Sequence, residues 1–323
     1  MPEDKGRSTM TSTLRAPRVA ALALLPVALT ACGSSAATDD ASGDGRDPDS
    51  LVIAAIPSED STSLAQRYES IIQLLEDETG KDVTLQSATS YAAVIEAQRA
   101  GRADIAFYGP LSYVVAKDSG VGMEIVAAPV AEEGGDPGYR SVGVVPADSG
   151  IQELADVAGR KACFVDENST SGFLYPAAGL IEAGLEEDDY TRVMAGGHDA
   201  SVLSVAGGQC DVGFATEDMA TRQLVEEGQI AEGDVRVIWE SAVIPGSPVA
   251  VSSDLDDELR RTITEALTTK ANAGHLAAEG YCSGGDDCLI EGNWGYVPVS
   301  DADYASVRDV CAATRNEQCE EGA

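Results

Sequence analysis

Short apolar runs alternate with helical patterns along most of the chain. Each helical pattern repeats apolar residues every three or four positions, as in residues 91–101. Nearly continuous apolar runs separated by helices are typical of βα units, so the pattern predicts an α/β fold with a mostly parallel sheet covered on both faces. The strand-like runs are LVIAAI (51–56), VTLQSA (83–88), ADIAFYG (103–109), EIVAAPV (124–130), SVGVVP (141–146), ACFV (162–165), CDVGFA (210–215), VRVIW (235–239) and SPVAVS (247–252).

Two breaks rich in glycine and proline divide this pattern. They are EEGGDPGYR (132–140) and IPGSP (244–248). If both are crossovers, residues 140–245 form one lobe, and residues 51–139 together with 246–323 form the other. The chain is long enough for two domains of ordinary size. We therefore expect two α/β lobes joined by two connecting strands.

The first 31 residues have the pattern of a signal peptide. Two arginines precede the apolar run 19–30 (VAALALLPVALT), which is too short to span a bilayer. The small residues before Cys32 resemble the lipobox of bacterial lipoproteins. This implies that Cys32 is lipidated and holds the protein on the outer face of the cytoplasmic membrane. A soluble signal peptide with an incidental cysteine is the alternative. Residues 32–50 are small and acidic and are predicted to be a flexible tether.

The formal net charge of −34 argues against two classes of partner. Nucleic acids and anionic lipid surfaces both repel such a chain. A zinc site is disfavoured because the chain has two histidines and no CxxC motif. No metal or other cofactor is expected.

Six cysteines remain when Cys32 is set aside, an even number that suggests disulfides in an exported protein. Two pairs are close in sequence, which favours bonds within each pair. The other two cysteines each open a strand-like run and could bridge neighbouring strands. The favoured pairs are Cys282 with Cys288 and Cys311 with Cys319, and the two cysteines that could bridge strands are Cys163 and Cys210, although six cysteines allow fifteen pairings.

The stretch FVDENSTSGFLYP (164–176) contains the first candidate binding site. Proline lacks an N–H and is tolerated only in the first turn of a helix, so Pro176 predicts a helix that begins near Gly172. Ser169, Thr170 and Ser171 then stand just ahead of it. Three hydroxyls and the free N–H groups of a helix start make an anion site that needs no lysine. An ordinary N-cap is the alternative, although one serine would be enough for it.

Two tyrosines could face the same anion. Ser90 can cap a helix, which puts Tyr91 in the first turn of that helix. Tyr108 lies at the end of the strand-like run 103–109, and ligands of open α/β sheets bind beyond the carboxyl ends of strands. The alternative for both tyrosines is a place in the core with the hydroxyl at the surface.

His198 and Glu217 flank the strand-like run 210–215. His198 follows two glycines and precedes a short helical pattern, so it could donate to an anion. Glu217 comes just after the carboxyl end of the strand. An ordinary acidic loop is the alternative for Glu217, because this chain is acidic throughout.

Together these motifs resemble the phosphonate-binding proteins of ABC importers. The resemblance implies a type II periplasmic-binding-protein fold, in which two α/β lobes are joined by a two-strand hinge and the ligand lies in the interlobe cleft. It also implies a monomeric receptor, not an enzyme, that delivers a phosphonate, phosphite or phosphate to a permease and its ATPase. The segments that carry the resemblance are SYAAVIEAQRAGRADIAFYGPLS (90–112), GDPGYRSV (135–142), DENSTSGFLYP (166–176), GGHDASVLSVAGGQCDV (196–212), ATE (215–217), IPGSP (244–248) and WGYVPVSD (294–301).

The resemblance also implies the residues that hold the anion. Ser169, Thr170 and Ser171 would bind the phosphorus oxyanion through their hydroxyls and backbone N–H groups. Tyr91 and His198 would add donors to the same group.

The resemblance further implies how the rest of the ligand is bound, and here the chain departs from the family pattern. Tyr108 would line the side of the cleft that holds the substituent. Glu217 matches a carboxylate that pairs with the amino group of aminoalkyl ligands. Ser247 stands where aminoalkylphosphonate binders resemble IPGDP and carry an aspartate. Burying an ammonium group without enough opposite charge is costly, so Ser247 favours a simpler oxyanion.

Two alternatives remain open. The same fold could bind another small anion or an organophosphate. A secreted hydrolase is the other alternative, but the chain has neither GxSxG nor HExxH.

Overall fold

The structure is a computed structural model, and it describes residues 45–58, 65–290 and 292–320. Within these residues, none of the helices is both long enough and apolar enough to cross a membrane. The signal peptide, Cys32 and the greater part of the predicted tether lie outside the described residues.

Two large sheets form the centre of the protein. The first has six strands in the order β13-β4-β12-β3-β1-β2, and the second has five in the order β10-β6-β9-β7-β8. The strands of the first are β1 (Ser50–Ala55), β2 (Asp82–Ser87), β3 (Ile105–Phe107), β4 (Met123–Val130), β12 (Val249–Ser252) and β13 (Gly295–Pro298). Those of the second are β6 (Ser141–Pro146), β7 (Lys161–Phe164), β8 (Thr191–Met194), β9 (Val212–Thr216) and β10 (Val235–Glu240).

A separate two-stranded sheet lies where the chain passes between the large sheets. Its strands, β5 (Gly138–Tyr139) and β11 (Ile244–Pro245), pair antiparallel. Both strands fall in the glycine- and proline-rich breaks. The division into lobes at residues 140 and 245 stays a prediction.

Helices connect the strands and cover the sheets. The α-helices are α1 (Glu69–Thr79), α2 (Tyr91–Arg99), α3 (Pro110–Asp118), α4 (Tyr175–Glu182), α5 (His198–Ala206), α6 (Leu224–Glu226), α7 (Asp257–Glu265), α8 (Ala273–Glu279), α9 (Ala305–Thr314) and α10 (Glu317–Glu320). In the part of the chain that the structure describes, three π-helical turns span Thr170–Leu174, Met219–Gln223 and Ala266–Lys270, and four 3₁₀ turns span Leu154–Val157, Glu187–Asp189, Gly285–Cys288 and Asp301–Tyr304.

Both faces of the six-stranded sheet are buried, as the apolar runs predict. On one face, Ile53 and Ile105 pack in a cluster with side chains of α1 and α7. On the other face, Ala54 and Ala106 pack with side chains of α2 and α3. The α/β fold class is therefore confirmed.

The expectation of a mostly parallel sheet is wrong. In the six-stranded sheet, β1 runs parallel to β2 and β3, but β12 and β13 run antiparallel to their neighbours. In the five-stranded sheet, β7 runs parallel to β8 and β9, while β6 runs antiparallel to β9 and β10. Burial on both faces gives a continuous apolar run in either direction, so the sequence pattern does not report strand direction.

The expected disulfides are confirmed. One of them ties β7 to the turn before β9, which is the strand next to β7 in the sheet. The bonds are Cys163–Cys210, Cys282–Cys288 and Cys311–Cys319.

The segment before β1 is bound to the rest of the protein, although the sequence assigns it to the flexible tether. The Arg46 N–H donates to the Asp254 carbonyl at 2.5 Å. The Arg46 guanidinium pairs with Asp104, which is only 3% exposed. A buried carboxylate requires a counter-ion, and this requirement explains why the chain is ordered before Ser50.

Candidate functional site

A cavity of about 480 Å³ lies between the two large sheets. Its walls include residues at the carboxyl ends of β1, β3, β7 and β9. This is where ligands of open α/β sheets bind.

Most of the predicted ligand-binding residues line this cavity. They come from separate stretches of sequence that the fold brings together. The lining residues that the sequence predicts are Tyr91, Ser169, Thr170, Ser171, His198, Glu217 and Ser247.

Tyr108 is the exception. It is 1% exposed, it is absent from the cavity lining, and its hydroxyl donates to the Gln98 side-chain oxygen at 2.9 Å. The ring packs with the cluster between the six-stranded sheet and helices α2 and α3. The structure therefore puts Tyr108 in the core, as the alternative interpretation held, but its hydroxyl is buried against Gln98 and does not reach the surface.

Tyr139, on β5, lines the cavity instead. Burial raises the pKa of its hydroxyl to about 12, and hydrogen bonds with Ser171, Thr170 and Ser247 oppose that rise. Tyr139 thus stays neutral at physiological pH. The sequence signal was its place in the GDPGYRSV segment, within a glycine- and proline-rich break.

The hydroxyl residues begin a helix with an unusual first turn. The turn from Thr170 to Leu174 is π-helical, and its N-cap Ser169 accepts a hydrogen bond from the Gly172 N–H at 3.0 Å. The helix therefore begins two residues before the predicted Gly172. The N–H groups of Thr170 and Ser171 lie in the first turn, where they have no acceptor within the helix. They can donate to a bound anion.

Pro176 explains how this turn is held. Since proline has no N–H, the carbonyls of Ser171 and Gly172 lack their usual helical donor. The Ser141 hydroxyl donates to the Ser171 carbonyl at 2.6 Å, and the Val165 N–H donates to the Gly172 carbonyl at 3.1 Å. Strands β6 and β7 thereby fix the position of the hydroxyl turn.

Gly172 is required by a close approach to the preceding strand. A Cβ at this position would lie 2.3 Å from Val165 Cγ2 and 2.9 Å from Ser169 Oγ. Any side chain here would push the turn away from the end of β7.

Helix α2 also starts at the cavity. Ser90 caps it by accepting from the Ala93 N–H at 3.2 Å, which makes Tyr91 its first residue, as predicted. The Tyr91 hydroxyl lies 3.5 Å from the Nε2 atom of His198, which is the first residue of α5. Burial raises the pKa of Tyr91 above its ordinary value, so its hydroxyl keeps its hydrogen.

His198 is oriented by the backbone of β9. Its Nδ1 atom accepts from the Thr216 N–H at 3.2 Å, so in the neutral ring the hydrogen is on Nε2 and points toward Tyr91. Burial lowers the pKa of His198 to about 4. The imidazole is therefore a neutral hydrogen-bond donor at physiological pH.

Charged side chains also line the cavity. Arg67 pairs with Glu227 at 2.7 Å, and Arg222 pairs with Asp218 at 2.7 Å. Neither the sequence pattern nor the resemblance singled out these arginines. The turn that carries Ser169, Thr170 and Ser171 lies among hydroxyls, N–H groups and an imidazole, and the Asp166 carboxylate beside it accepts from the Tyr91 N–H at 3.4 Å.

A family model described as the periplasmic substrate-binding protein of phosphonate ABC transporters matches residues 53–304. The chain belongs to this family.

Two relatives share substantial identity with this chain. The phosphate-import protein PhnD of Mycolicibacterium smegmatis is 42% identical over 319 residues, covering 95% of this chain and 99% of the relative. The phosphonates-binding periplasmic protein of Escherichia coli is 32% identical over 219 residues, covering 66% of this chain and 64% of the relative.

A solved structure of a Prochlorococcus marinus protein in complex with methylphosphonate has the same fold. The two align with a TM-score of 0.73 at 18% identity, covering 84% of this chain and all of the other. The type II periplasmic-binding-protein fold is thus confirmed. As a family member, the protein is a substrate-binding protein of an ABC importer and acts outside the cytoplasm, so the hydrolase alternative is set aside.

Proposed function

We propose that this substrate-binding protein captures a small phosphorus oxyanion in the cavity and delivers it to the permease and ATPase of its importer. The observation that carries the proposal is the convergence of neutral donors on one buried turn. Ser169, Thr170 and Ser171 are each 1% exposed and all line the cavity. A tetrahedral oxyanion has several acceptor oxygens, and a helix start surrounded by hydroxyls can satisfy them.

The donors can be counted from the contacts. Thr170 Oγ1 already accepts from the Leu111 N–H at 2.7 Å, so its own hydrogen is available to a ligand. The first-turn N–H groups of Thr170 and Ser171 add two more donors. Tyr91 and Tyr139 supply phenolic hydroxyls, and His198 supports Tyr91 through Nε2. The protein thus binds an anion through local donors despite its net charge of −34.

Phosphate, phosphite and methylphosphonate are the ligands we favour. Ser247, which lines the cavity, is neutral and offers no charge to an ammonium group. The Mycolicibacterium smegmatis relative is named a phosphate-import protein, which supports a ligand without an amino group.

Capture takes place by closure of two lobes, each built on one of the large sheets, with β5 and β11 as the hinge. The protein acts as a monomer held to the membrane by a lipid on Cys32. Closure excludes water and so strengthens each hydrogen bond to the anion.

A thermal-shift panel on the soluble body tests the proposal. A ligand present at a thousandfold excess over its Kd adds about 4 kcal/mol of stability, so a specific ligand stands out in such a panel. We expect phosphate, phosphite or methylphosphonate to raise Tm strongly and sulfate to have little effect. If none of the phosphorus oxyanions raises Tm, the proposal fails.

The second candidate ligand is 2-aminoethylphosphonate. Glu217 lines the cavity and could pair with an ammonium group. A shift for this ligand that far exceeds the shift for methylphosphonate would favour the second candidate.

A further inference from the structure

Two of the charged side chains that line the cavity are left without an ion-pair partner. The arginines Arg67 and Arg222 are neutralised by carboxylates. Among the residues that the structure describes, Arg140 and Glu217 belong to no ion pair. Their charges are therefore the ones that a ligand in the cavity would encounter uncompensated.

Arg140 and Glu217 are cross-strand neighbours. Strands β6 and β9 pair antiparallel with Ser141 opposite Thr216, and the Glu217 N–H donates to the Arg140 carbonyl at 3.0 Å. One step along this register puts Arg140 opposite Glu217. Side chains that stand opposite each other in antiparallel strands lie on the same face of the sheet, with Cβ atoms about 5 Å apart.

A contact on its other side holds Arg140 in place. Its Nη1 atom donates to the Ser241 carbonyl at 2.5 Å, and Ser241 follows β10, the strand on the far side of β6. The guanidinium is thus held on the β10 side of β6 and forms no direct ion pair with Glu217, although both residues line the same cavity. Arg140 is half-buried and Glu217 is exposed to the cavity.

We propose that Arg140 is a specificity-determining residue that offsets the charge of Glu217 and so selects oxyanions without a cationic substituent. Alone, a carboxylate facing the cavity would repel a phosphate dianion and attract an ammonium group. A guanidinium on the neighbouring strand offsets both preferences, because its positive charge acts on the same ligand from the same wall of the cavity. This inference rests on the proposed function.

The test measures the dissociation constant for 2-aminoethylphosphonate divided by the dissociation constant for methylphosphonate. Calorimetric titration gives the dissociation constant of the ligand that binds more tightly. Competition against that ligand gives the dissociation constant of the other ligand. Arg140→Gln removes the positive charge and should lower the ratio about tenfold. Arg140→Lys keeps the charge and should stay close to the wild-type ratio. This pair of variants separates the effect of charge from the loss of the bond to Ser241.

Glu217 supplies the reciprocal test. Glu217→Gln should raise the ratio, and the double variant Arg140→Gln/Glu217→Gln should bring it back toward the wild-type value. Arg160→Gln, which removes a positive charge from an exposed side chain outside the cavity, is the matched control and should leave the ratio unchanged.

The outcomes separate this inference from the proposed function. If the wild-type protein binds phosphate or methylphosphonate but Arg140→Gln leaves the ratio unchanged, only the role of Arg140 is overturned. An equal change of the ratio in Arg160→Gln also overturns the role of Arg140. If the wild-type protein binds none of the phosphorus oxyanions, the proposed function fails and the role of Arg140 fails with it.

Discussion

The backbone N–H of Leu111 donates to the hydroxyl oxygen of Thr170 over 2.7 Å. Leu111 lies in the first turn of α3, directly after the six-stranded sheet, while Thr170 follows β7 of the five-stranded sheet. This hydrogen bond therefore joins the two sides of the cavity. Because the Thr170 oxygen acts as an acceptor here, its hydrogen can be donated to the ligand.

Thr170→Val should weaken both binding and folding. The substitution removes the hydroxyl from the ligand and leaves the buried Leu111 N–H without an acceptor, which costs about 1–3 kcal/mol. We expect at least about a tenfold loss of affinity for the best oxyanion by calorimetry, together with a lower free energy of unfolding. Thr170→Ser keeps the hydroxyl and is the matched control. If Thr170→Val binds as tightly as Thr170→Ser, the hydroxyl does not contact the ligand.

The stability of the protein should depend on pH through His198. Burial lowers the pKa of the native imidazole to about 4, whereas the unfolded imidazole takes up a proton near pH 6.5. The unfolded state therefore binds the extra proton between these values. The native state should lose about 3 kcal/mol as the pH falls from about 6.5 to 4, with no further loss from this group at lower pH.

Denaturant unfolding at several pH values measures this effect. Carboxylates also titrate in part of this range, so the informative quantity is the difference between wild type and His198→Gln. The other histidine of the chain, His275 on α8, is partly exposed and provides the matched control. His275→Gln should keep the wild-type pH dependence. An identical pH dependence in His198→Gln and wild type would contradict the assignment.

The sequence predicted the hydroxyl turn because its signals are local. Pro176 and the apolar stripe after it fix the position of the helix to within two residues. The π-helical first turn was not predictable, because the carbonyls freed by Pro176 are satisfied by Ser141 and Val165 from strands β6 and β7. The partners that stabilise this turn are thus set by the tertiary fold.

The sequence predicted Tyr108 at the cavity, but the structure has Tyr139 there. This difference is also set by the tertiary fold. Tyr108 stands at the end of a strand, where a ligand-facing residue is expected, but its ring turns into the core next to Gln98. Tyr139 belongs to a two-residue strand whose partner, Ile244–Pro245, lies far along the chain. Short pairings between distant segments leave no periodic pattern in the sequence.

Gly172→Ala should destabilise the hydroxyl turn. The added methyl group would lie 2.3 Å from Val165 Cγ2, so the turn or the end of β7 must shift, at a cost of about 1–3 kcal/mol. Calorimetric unfolding should show the loss, and affinity for the oxyanion should fall with it. Val165→Gly removes both clashing Val165 atoms, Cγ2 and Cβ, so Gly172→Ala/Val165→Gly should lose less stability than the two single variants added together.

Gly150 is the matched control for this series. A Cβ at Gly150 meets no atom within 4 Å, and its φ is not in the left-handed region. Gly150→Ala should therefore be neutral or slightly stabilising, as expected for a glycine in compatible backbone. If Gly172→Ala proves equally neutral, the close approach to Val165 is not a constraint.

The ion pair between Arg67 and Glu227 should hold the cavity closed over the ligand. Arg67 precedes α1 beside the six-stranded sheet, and Glu227 follows α6 beside the five-stranded sheet. The side-chain amides of Gln223 and Gln229 donate to the Glu227 carboxylate at 3.3 and 2.7 Å and orient it. An interaction that joins the two walls of a cavity slows ligand release more than it speeds binding. Glu227→Gln should therefore raise the dissociation rate about fivefold, corresponding to ~1 kcal/mol for a partly exposed pair, with little change in the association rate.

The pair between Arg192 and Glu187 gives the matched control for this last prediction. It has the same length, 2.7 Å, but both residues lie beside the five-stranded sheet. Glu187→Gln should therefore leave the dissociation rate unchanged in stopped-flow measurements. The reversed pair, Arg67→Glu with Glu227→Arg, should recover part of the wild-type residence time, because the attraction across the cavity is restored. If Glu227→Gln and Glu187→Gln release the ligand at the same rate, the pair between Arg67 and Glu227 does not contribute to closure.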